Sequence, residues 1–335
     1  MSPLGKIEIQ GRDAAEFLER VYVNRWRSLK VGRCRYGLML REDGVVFDDG
    51  TTTRIAEHEF YMTTTTAKAA QVMAHLEFYA QTVWPDLHVH LTSVTDRWAG
   101  LALAGPEARK VLAAAVGESA EVSGEGLPFM GYREAMIADC PVRLFRITFS
   151  GELAYEIHAP ADCGMRVWEA VLEAGEPCGI IPYGTEAMSV LRIEKGHVVG
   201  GELDGRTYPA ELGFGRMLRK DGDFIGRRSL DRPALAGEPK RGLVGLVSEN
   251  GRHIPRGAQI VTDPKARTPM PMLGHVTSTC YSPNLEKEIA LAVIEDHQRW
   301  MGKSLVASSP VAGEHVPVTV TSSVFIDPEG GRARA

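Results

Sequence analysis

Apolar residues follow one pattern before residue 230 and another after residue 240. In the first part they recur at helical spacing between short extended segments. In the second part, short apolar runs are separated by Pro and Gly, and helical periodicity is absent. The stretch 231–239, which contains two prolines and a glycine, separates the two parts. This change predicts an α+β domain at residues 1–236, followed by a small all-β domain, a barrel or a sandwich, at residues 237–335.

Start and stop signals place the helices within the first domain. A capping-box pattern, Asp13-Ala14-Ala15-Glu16, precedes one apolar stripe, and Gly196 follows another as a C-cap. The predicted helices begin near residues 13, 66, 105, 162 and 185. The predicted strands of the second domain are 243–247, 259–262, 273–278, 289–294 and 316–320.

Composition and charge exclude several classes of function. Lys plus Arg number 38 and Asp plus Glu number 43, so the net charge of −5 argues against nucleic acid as the main partner. The chain has no apolar run of about 18 residues and begins with no signal peptide, so we expect no membrane span. Its five cysteines form no C-x-x-C pair. A reducing cytoplasm is therefore the expected location, without a disulfide framework.

Two weak motifs do not support a metal or a dinucleotide site. His88-Val89-His90 has no third ligand nearby in the sequence, so we expect no metal. Gly213-Phe214-Gly215 begins like a dinucleotide-binding fingerprint but lacks the third glycine and a preceding strand. We therefore expect neither flavin nor NAD on this chain alone.

The segment 35–50 carries the first candidate site residues. An Asp-Gly pair after an apolar strand predicts a β-hairpin. Adjacent strand residues point to opposite faces, so one of Asp48 and Asp49 can enter a site while the other faces away. The hairpin by itself requires no such site.

A second candidate is Glu156, within Phe149-Ser150-Gly151-Glu152-Leu153-Ala154-Tyr155-Glu156-Ile157-His158. Tyr155 and Ile157 share one face of a predicted strand, which leaves Glu156 on the other. A solvated glutamate is the simplest interpretation. The alternative is a carboxylate that accepts two hydrogen bonds from a ligand edge with parallel N–H donors.

Together with a third segment, Pro182–Gly196, these stretches resemble the aminomethyltransferase (glycine-cleavage T-protein) family of tetrahydrofolate enzymes. The resemblance extends to Leu101–Pro106, to Gly242–Leu246 and to Gly274–Ser278, and it covers nearly the whole chain. Within the family, the chain is most similar to the folate-binding C-terminal half of the alpha subunit of heterotetrameric sarcosine oxidase. The resemblance implies a T-protein-like folate-binding domain followed by a small β-barrel domain.

The resemblance also implies a role for three residues. Asp48 matches the family's catalytic aspartate, which poises the N5 region of tetrahydrofolate for attack on a one-carbon electrophile. Glu156 matches the glutamate that binds the pterin through N3–H and the 2-amino group, and Tyr36 matches a tyrosine that lines the pocket. The implied function is capture of the methylene of an oxidised, sarcosine-type N-methyl amine as 5,10-methylenetetrahydrofolate. The implied partners are folate, a small amine-derived one-carbon donor and flavin-bearing oxidase subunits.

Departures from the family pattern keep other functions open. Met188 stands where glycine-cleavage transferases have an arginine, Ser189 stands where oxidase-type members have a bulkier polar residue, and the chain begins partway into the family's first domain. A stand-alone aminomethyltransferase or a folate-dependent demethylase is one alternative. A non-catalytic folate-binding protein is another, although His197 follows Lys195-Gly196 where the related iron–sulfur assembly factors have a cysteine. A degenerate paralogue without a folate pocket is a third.

Overall fold

The computed structural model of the protein describes residues 4–235, 237–267 and 269–335. The α-helices are α1 (Ala14–Val21), α2 (Ala69–Phe78), α3 (Ala108–Val116), α4 (Gly164–Gly175), α5 (Thr185–Lys195), α6 (Arg227–Leu230), α7 (His297–Trp300) and α8 (Gly331–Arg334). The strands before residue 236 are β1 (Gly5–Gln10), β2 (Arg33–Leu40), β3 (Val46–Ala56), β4 (Glu59–Thr64), β5 (His90–Ser93), β6 (Trp98–Ala104), β7 (Tyr132–Ile137), β8 (Cys140–Phe145) and β9 (Ala154–Pro160). Those after it are β10 (Arg241–Ser248), β11 (Gln259–Val261), β12 (Gly274–Ser282), β13 (Lys287–Glu295), β14 (Ser304–Ser309) and β15 (Glu314–Thr321).

The first sheet has the antiparallel order β2-β3-β4-β1-β5, and α1 and α2 cover one of its faces. Buried residues of α1 recur at i, i+3, i+4 and i+7, which gives the helix one apolar stripe. That stripe packs on inward-facing residues of β1 and β4, including Ile7 and Met62. The opposite face of the sheet is thereby left for other contacts.

The predicted capping box at the start of α1 is wrong, although the helix forms. The Asp13 carboxylate makes no hydrogen bond within the helix and instead accepts the backbone N–H of His88 at 2.8 Å. The segment after Thr66 begins with one 3₁₀ turn before α2. At Asp13, a distant backbone N–H, that of His88, replaces the helical N–H that the sequence pattern indicates as the partner.

The second sheet has the order β6-β9-β8-β7, and α3 and α4 pack on one face. Its apolar core includes Leu103, Leu144 and Ile157 from the strands, with Leu112 and Val167 from the helices. Side chains at alternate positions of β9 point away from this core, toward the first sheet.

The second domain is a closed barrel of six antiparallel strands, in the order β10-β13-β12-β11-β14-β15. The predicted α+β fold with a small β-barrel is confirmed. The sequence prediction missed β14, because its segment Ser-Leu-Val-Ala-Ser-Ser contains few large apolar residues. Residue 236, at the predicted domain boundary, lies outside the described residues, and that boundary stays a prediction.

Helix α5 joins the two domains. Ile193 packs on Ile289 and Leu291 of the barrel. The buried Arg192 guanidinium lies 3.2 Å from a Glu202 carboxylate oxygen and donates to the Ser278 hydroxyl at 2.6 Å. The apolar contact and the polar cluster together hold the barrel against the end of α5.

Candidate active site

The β2–β3 hairpin positions Asp49 and Tyr36 on one face of the first sheet. Leu38 pairs directly with Asp49, and Tyr36 pairs with Thr51, so the side chains of all four residues share a face. The Tyr36 hydroxyl donates a hydrogen bond to Asp49 Oδ2 at 2.7 Å. The tyrosine ring also contacts the ring of Phe214, with centroids 5.9 Å apart.

The environment of Asp49 moves its titration toward neutral pH. Burial raises the pKa of its carboxyl group from 3.8 to about 6, although the Tyr36 hydrogen bond opposes that shift. Burial also raises the pKa of the Tyr36 hydroxyl above its ordinary value, so the tyrosine keeps its proton and remains a donor. Asp49 can therefore gain or lose a proton within the range in which many general bases operate.

Asp48 lies on the opposite face and is fully buried. It pairs with Met39, which packs with α1, and its Oδ2 accepts the backbone N–H of Thr65 at 3.2 Å. The other oxygen, Oδ1, is buried without a hydrogen bond to the described residues, and burial raises the pKa of the group. Asp48 thus anchors the turn before α2. The catalytic role predicted for it stays a prediction, and the geometry favours Asp49 for contact with a ligand beside Tyr36.

Glu156 lies on β9, on the face of the second sheet that is turned away from α3 and α4. Its side chain is 20% exposed, but Oε2 is buried and makes no hydrogen bond with any described residue. A carboxylate oxygen without a partner is costly unless a ligand or water supplies donors. The predicted pterin-binding role of Glu156 stays a prediction, for which the carboxylate has the required acceptors of paired N–H donors.

The two sheets meet face to face between these residues. The Tyr61 hydroxyl of β4 lies 2.8 Å from His158 Nδ1 of β9, and the rings of Tyr61 and Phe145 stack with centroids 5.6 Å apart. Farther along, Arg143 donates to Glu8 of β1 at 3.0 Å. These contacts turn the Asp49 face of the first sheet toward the Glu156 face of the second.

A row of paired residues crosses the first sheet from Tyr36 toward Glu156. Tyr36 pairs with Thr51, whose hydroxyl lies 3.0 Å from that of Thr63, and Thr63 pairs with Lys6. The Lys6 side chain is 1% exposed, and its ammonium interacts electrostatically with Glu156. Burial lowers the pKa of Lys6, and the Glu156 charge opposes that shift. Of the three predicted site residues, Tyr36 and Glu156 therefore line one region between the sheets, whereas Asp48 is directed away from it.

Models of two domain families match the chain. The GCVT N-terminal domain matches residues 1–222, and the glycine cleavage T-protein C-terminal barrel domain matches residues 241–327. The chain belongs to the glycine cleavage T-protein family. The predicted family and T-protein fold are thus confirmed.

Similar proteins within the T-protein family carry two kinds of name. Sarcosine oxidase subunit alpha of Rhizobium meliloti (strain 1021) is 47% identical over 336 residues, which are 99% of this chain and 34% of that protein. An aminomethyltransferase of Streptomyces coelicolor is 32% identical, over 97% of this chain and 85% of its own length. The crystal structure of the glycine cleavage system aminomethyltransferase T from Bartonella henselae is similar with a TM-score of 0.83 at 25% identity, over 97% of this chain and 84% of that one.

These relatives are enzymes by name, as predicted for this chain. The chain spans about a third of the length of the sarcosine oxidase alpha subunit and most of the length of the aminomethyltransferase. T-protein similarity thus covers both of its domains.

Sequence reasoning missed Lys6, Tyr61 and His158 as parts of this candidate site. Lys6 offered a signal, because a lysine between the apolar residues of β1 is unusual in a strand with two covered faces. Tyr61 and His158 offered none, since 97 residues separate them.

Within the described ranges, no three His, Cys, Asp or Glu side chains form a group able to hold a metal ion. None of the helices there has the length and apolar character needed to cross a bilayer.

Proposed function

We propose that this T-protein family member transfers one-carbon units to tetrahydrofolate, capturing the methylene of an oxidised, sarcosine-type N-methyl amine as 5,10-methylenetetrahydrofolate. The observation that carries the proposal is the buried Oε2 of Glu156, which accepts no hydrogen bond from the described residues and lies in the region that also contains the Tyr36–Asp49 pair. The 47% identity to a sarcosine oxidase alpha subunit supports the choice of amine.

Glu156 has the chemistry to hold a pterin. The pterin edge presents N3–H and a 2-amino group as parallel donors, and a carboxylate accepts both in a bidentate pair. Such a pair would give a hydrogen bond to the oxygen that accepts none from the described residues. The N–H donors of the pterin edge thus match the acceptor oxygens of the carboxylate. Tyr36 would line the pocket beside Glu156.

Tetrahydrofolate, when bound, supplies the nucleophilic nitrogens that take up the one-carbon unit. Asp49 would act as a base at its carboxylate, because its pKa near 6 leaves it ionised at neutral pH yet able to take a proton. Tyr36 would hold the carboxylate through its hydrogen bond to Oδ2. Asp48, the residue first predicted for this role, would instead anchor the turn at Thr65.

The chain would act within a larger complex. Side chains cannot accept a hydride, so oxidation of the amine requires a flavin, which we place on other parts of a sarcosine-oxidase-like complex. The chain would then trap the one-carbon product in a cytoplasmic enzyme. A stand-alone aminomethyltransferase is the second candidate, since the chain spans most of the Streptomyces coelicolor aminomethyltransferase.

The test is calorimetric titration of the purified chain with tetrahydrofolate, together with an assay for methylenetetrahydrofolate. Glu156→Ala should weaken binding at least about tenfold, because each hydrogen bond to a charged group contributes about 1.5–3 kcal/mol. Asp49→Asn should retain binding and lose product formation, and the adjacent Asp48→Asn is the matched control. Unchanged affinity in Glu156→Ala would contradict the pterin-binding role, and loss of product in Asp48→Asn alone would return the base to Asp48.

A further inference from the structure

We infer that His158 is the positioning residue for Glu156: its Nε2–H holds one edge of the carboxylate so that the remaining lone pairs face the ligand. The inference rests on the proposed function for the identity of that ligand. It concerns the side-chain contacts from Tyr61 of the first sheet to His158 of the second, and from His158 to Glu156.

The strand places the imidazole and the carboxylate side by side. Glu156 and His158 are two residues apart on β9, so both side chains leave the same face. The distance from His158 Nε2 to Glu156 Oε2 is 3.3 Å, but the atoms are not aligned for a hydrogen bond, and neither has another partner among the described residues. A small rotation of the glutamate would pair the two orphaned atoms.

Aromatic neighbours restrict the imidazole ring. His158 is 1% exposed and lies between Phe145, at 4.9 Å between centroids, and Tyr61, at 5.6 Å with a T-shaped arrangement. Tyr61 and Phe145 in turn stack on each other. The ring is therefore packed on several sides, whereas the Glu156 side chain is still 20% exposed. In this pair the histidine is the rigid partner.

Tyr61 sets the tautomer of His158. Burial raises the pKa of the Tyr61 hydroxyl well above its ordinary value, so the hydroxyl keeps its proton. Its contact with His158 Nδ1, at 2.8 Å, is the only hydrogen bond that this hydroxyl makes with the described residues. If the hydroxyl accepted from Nδ1–H instead, its own hydrogen would have no acceptor among the described residues. We therefore assign Tyr61 as the donor to Nδ1, which places the imidazole hydrogen on Nε2, the atom that faces Glu156.

A hydrogen bond from His158 Nε2–H leaves lone pairs on the Glu156 carboxylate free for the ligand. An ionised carboxylate offers about four lone-pair sites on its two oxygens. One bond from His158 to Oε2 uses one of them and restricts rotation of the carboxylate. Two N–H donors of a pterin edge can then occupy sites that already have the required direction, which lowers the entropy cost of binding.

Two positively charged side chains lie near the His158–Glu156 pair. Lys6 of β1 interacts favourably with Glu156, and Arg143 of β8 lies over the Tyr61 ring at 4.9 Å while it pairs with Glu8. The Arg143 charge is thus balanced by Glu8, and the Lys6 ammonium is attracted to the Glu156 carboxylate. In this environment a neutral Nε2–H donor can orient the anion without adding another buried charge.

The first experiment measures the tautomer in the full chain without any folate. We expect long-range ¹H–¹⁵N spectra of histidine-labelled protein to show His158 as the neutral Nε2–H form, with its signals assigned by their loss in His158→Gln. Tyr61→Phe should shift the imidazole toward a mixture of tautomers. A dominant Nδ1–H form or an imidazolium in the wild type at neutral pH would overturn the inference.

The second experiment separates positioning from general packing. A Gln amide nitrogen reaches the place of Nε2, whereas an Asn side chain is too short. With 5-formyltetrahydrofolate as the calorimetric probe, His158→Asn should weaken binding about tenfold, and His158→Gln should stay within about threefold of wild type. Equal weakening by both variants, or by neither, would overturn the positioning role. If His158→Asn does not fold, Tyr61→Phe replaces it and should weaken binding.

A double-mutant cycle decides whether His158 acts through Glu156. In a Glu156→Gln background, His158→Asn should change affinity by less than about twofold, because the group that it orients is already altered. Full additivity of the two changes would overturn the inference. Failure of the wild-type protein to bind the probe would instead refute the proposed function and with it the ligand role, whereas the tautomer spectra would still report whether Tyr61 directs Nε2–H at Glu156.

Discussion

Two adjacent aspartates of β3 face different environments, and this difference has measurable consequences at the scale of single residues. Asp48 is fully buried and bonded to the backbone N–H of Thr65, while Asp49 is partly exposed and bonded to the Tyr36 hydroxyl. Burial raises the pKa of both carboxyl groups. Asp48 anchors the turn before α2, and Asp49 lies beside Tyr36 in the region for which we propose ligand binding.

The raised pKa of Asp49 predicts a pH-dependent cost to stability. Because its pKa is about 6 in the folded protein and 3.8 otherwise, the folded protein binds more protons than the unfolded chain between these values. Titration of the Asp49 carboxyl group therefore lowers the free energy of unfolding as the pH rises from about 4 to about 6. Asp49→Asn, which is neutral throughout, should raise the melting temperature relative to wild type above pH 6 and converge with it near pH 4.

The measurement is a series of thermal melts of both proteins from pH 4 to pH 8. Tyr36→Phe provides a second variant, since it removes the hydrogen bond that lowers the pKa of Asp49 and should move the midpoint to higher pH. A difference in melting temperature that is independent of pH would contradict the assignment.

At the scale of elements, the site depends on the close approach of β3 to its neighbours. Gly50 of β3 pairs with Gly37 of β2, directly after the two aspartates. A Cβ at Gly50 would lie 2.1 Å from the carbonyl oxygen of Thr63 in β4, and a Cβ at Gly37 would lie 2.7 Å from the Tyr22 ring. The glycines let β3 approach β4, and let β2 approach Tyr22 directly after α1, where Asp49 leaves the sheet.

Gly50→Ala should therefore separate β3 from β4 and displace Asp49. We expect the free energy of unfolding in urea to fall by about 1–3 kcal/mol, the usual cost of overpacking, with a loss of folate binding. Gly124→Ala is the control, because a Cβ added there would meet no atom of a non-adjacent residue within 4 Å and its backbone is not in the left-handed region. Equal stability of the two variants would show that the sheet adapts to the extra methyl group.

At the scale of the whole molecule, a buried ion pair connects the two domains. Glu202 is fully buried, binds Arg192 at 3.2 Å and accepts the Ser278 hydroxyl at 2.7 Å, so α5, the following turn and β12 meet at one carboxylate. Burial lowers the pKa of Arg192, and the Glu202 charge raises it again. The Glu202 carboxylate thus compensates a guanidinium charge that is held away from water.

Glu202→Gln should destabilise the protein by about 3–5 kcal/mol, because it leaves the buried Arg192 charge uncompensated. The matched control is Asp204→Asn, two residues away, whose partner Arg206 has a side chain that is 70% exposed. That change should cost less than about 1 kcal/mol. Chemical unfolding followed by circular dichroism measures both, and similar losses in the two variants would contradict a structural role for the buried pair.

Local patterns in the sequence determined the features that depend on near neighbours in the chain. The stop signal at Gly196 predicted the end of α5, where this residue has φ of 76°, and the Asp-Gly turn predicted the β2–β3 hairpin. Short apolar runs separated by Pro and Gly predicted five of the six barrel strands. Resemblance of motifs predicted the family and the candidate residues Tyr36 and Glu156. Each of these signals is complete within a few residues or a single motif.

Only the tertiary structure decided the features that depend on distant partners. Alternation along β3 indicated that Asp48 and Asp49 point in opposite directions, but the packing of α1 on one face determined which of them is buried. Tyr61 and His158 are 97 residues apart and meet because two sheets pack face to face. Strand pairing and sheet packing fix which face meets which partner, and no local pattern contains that information.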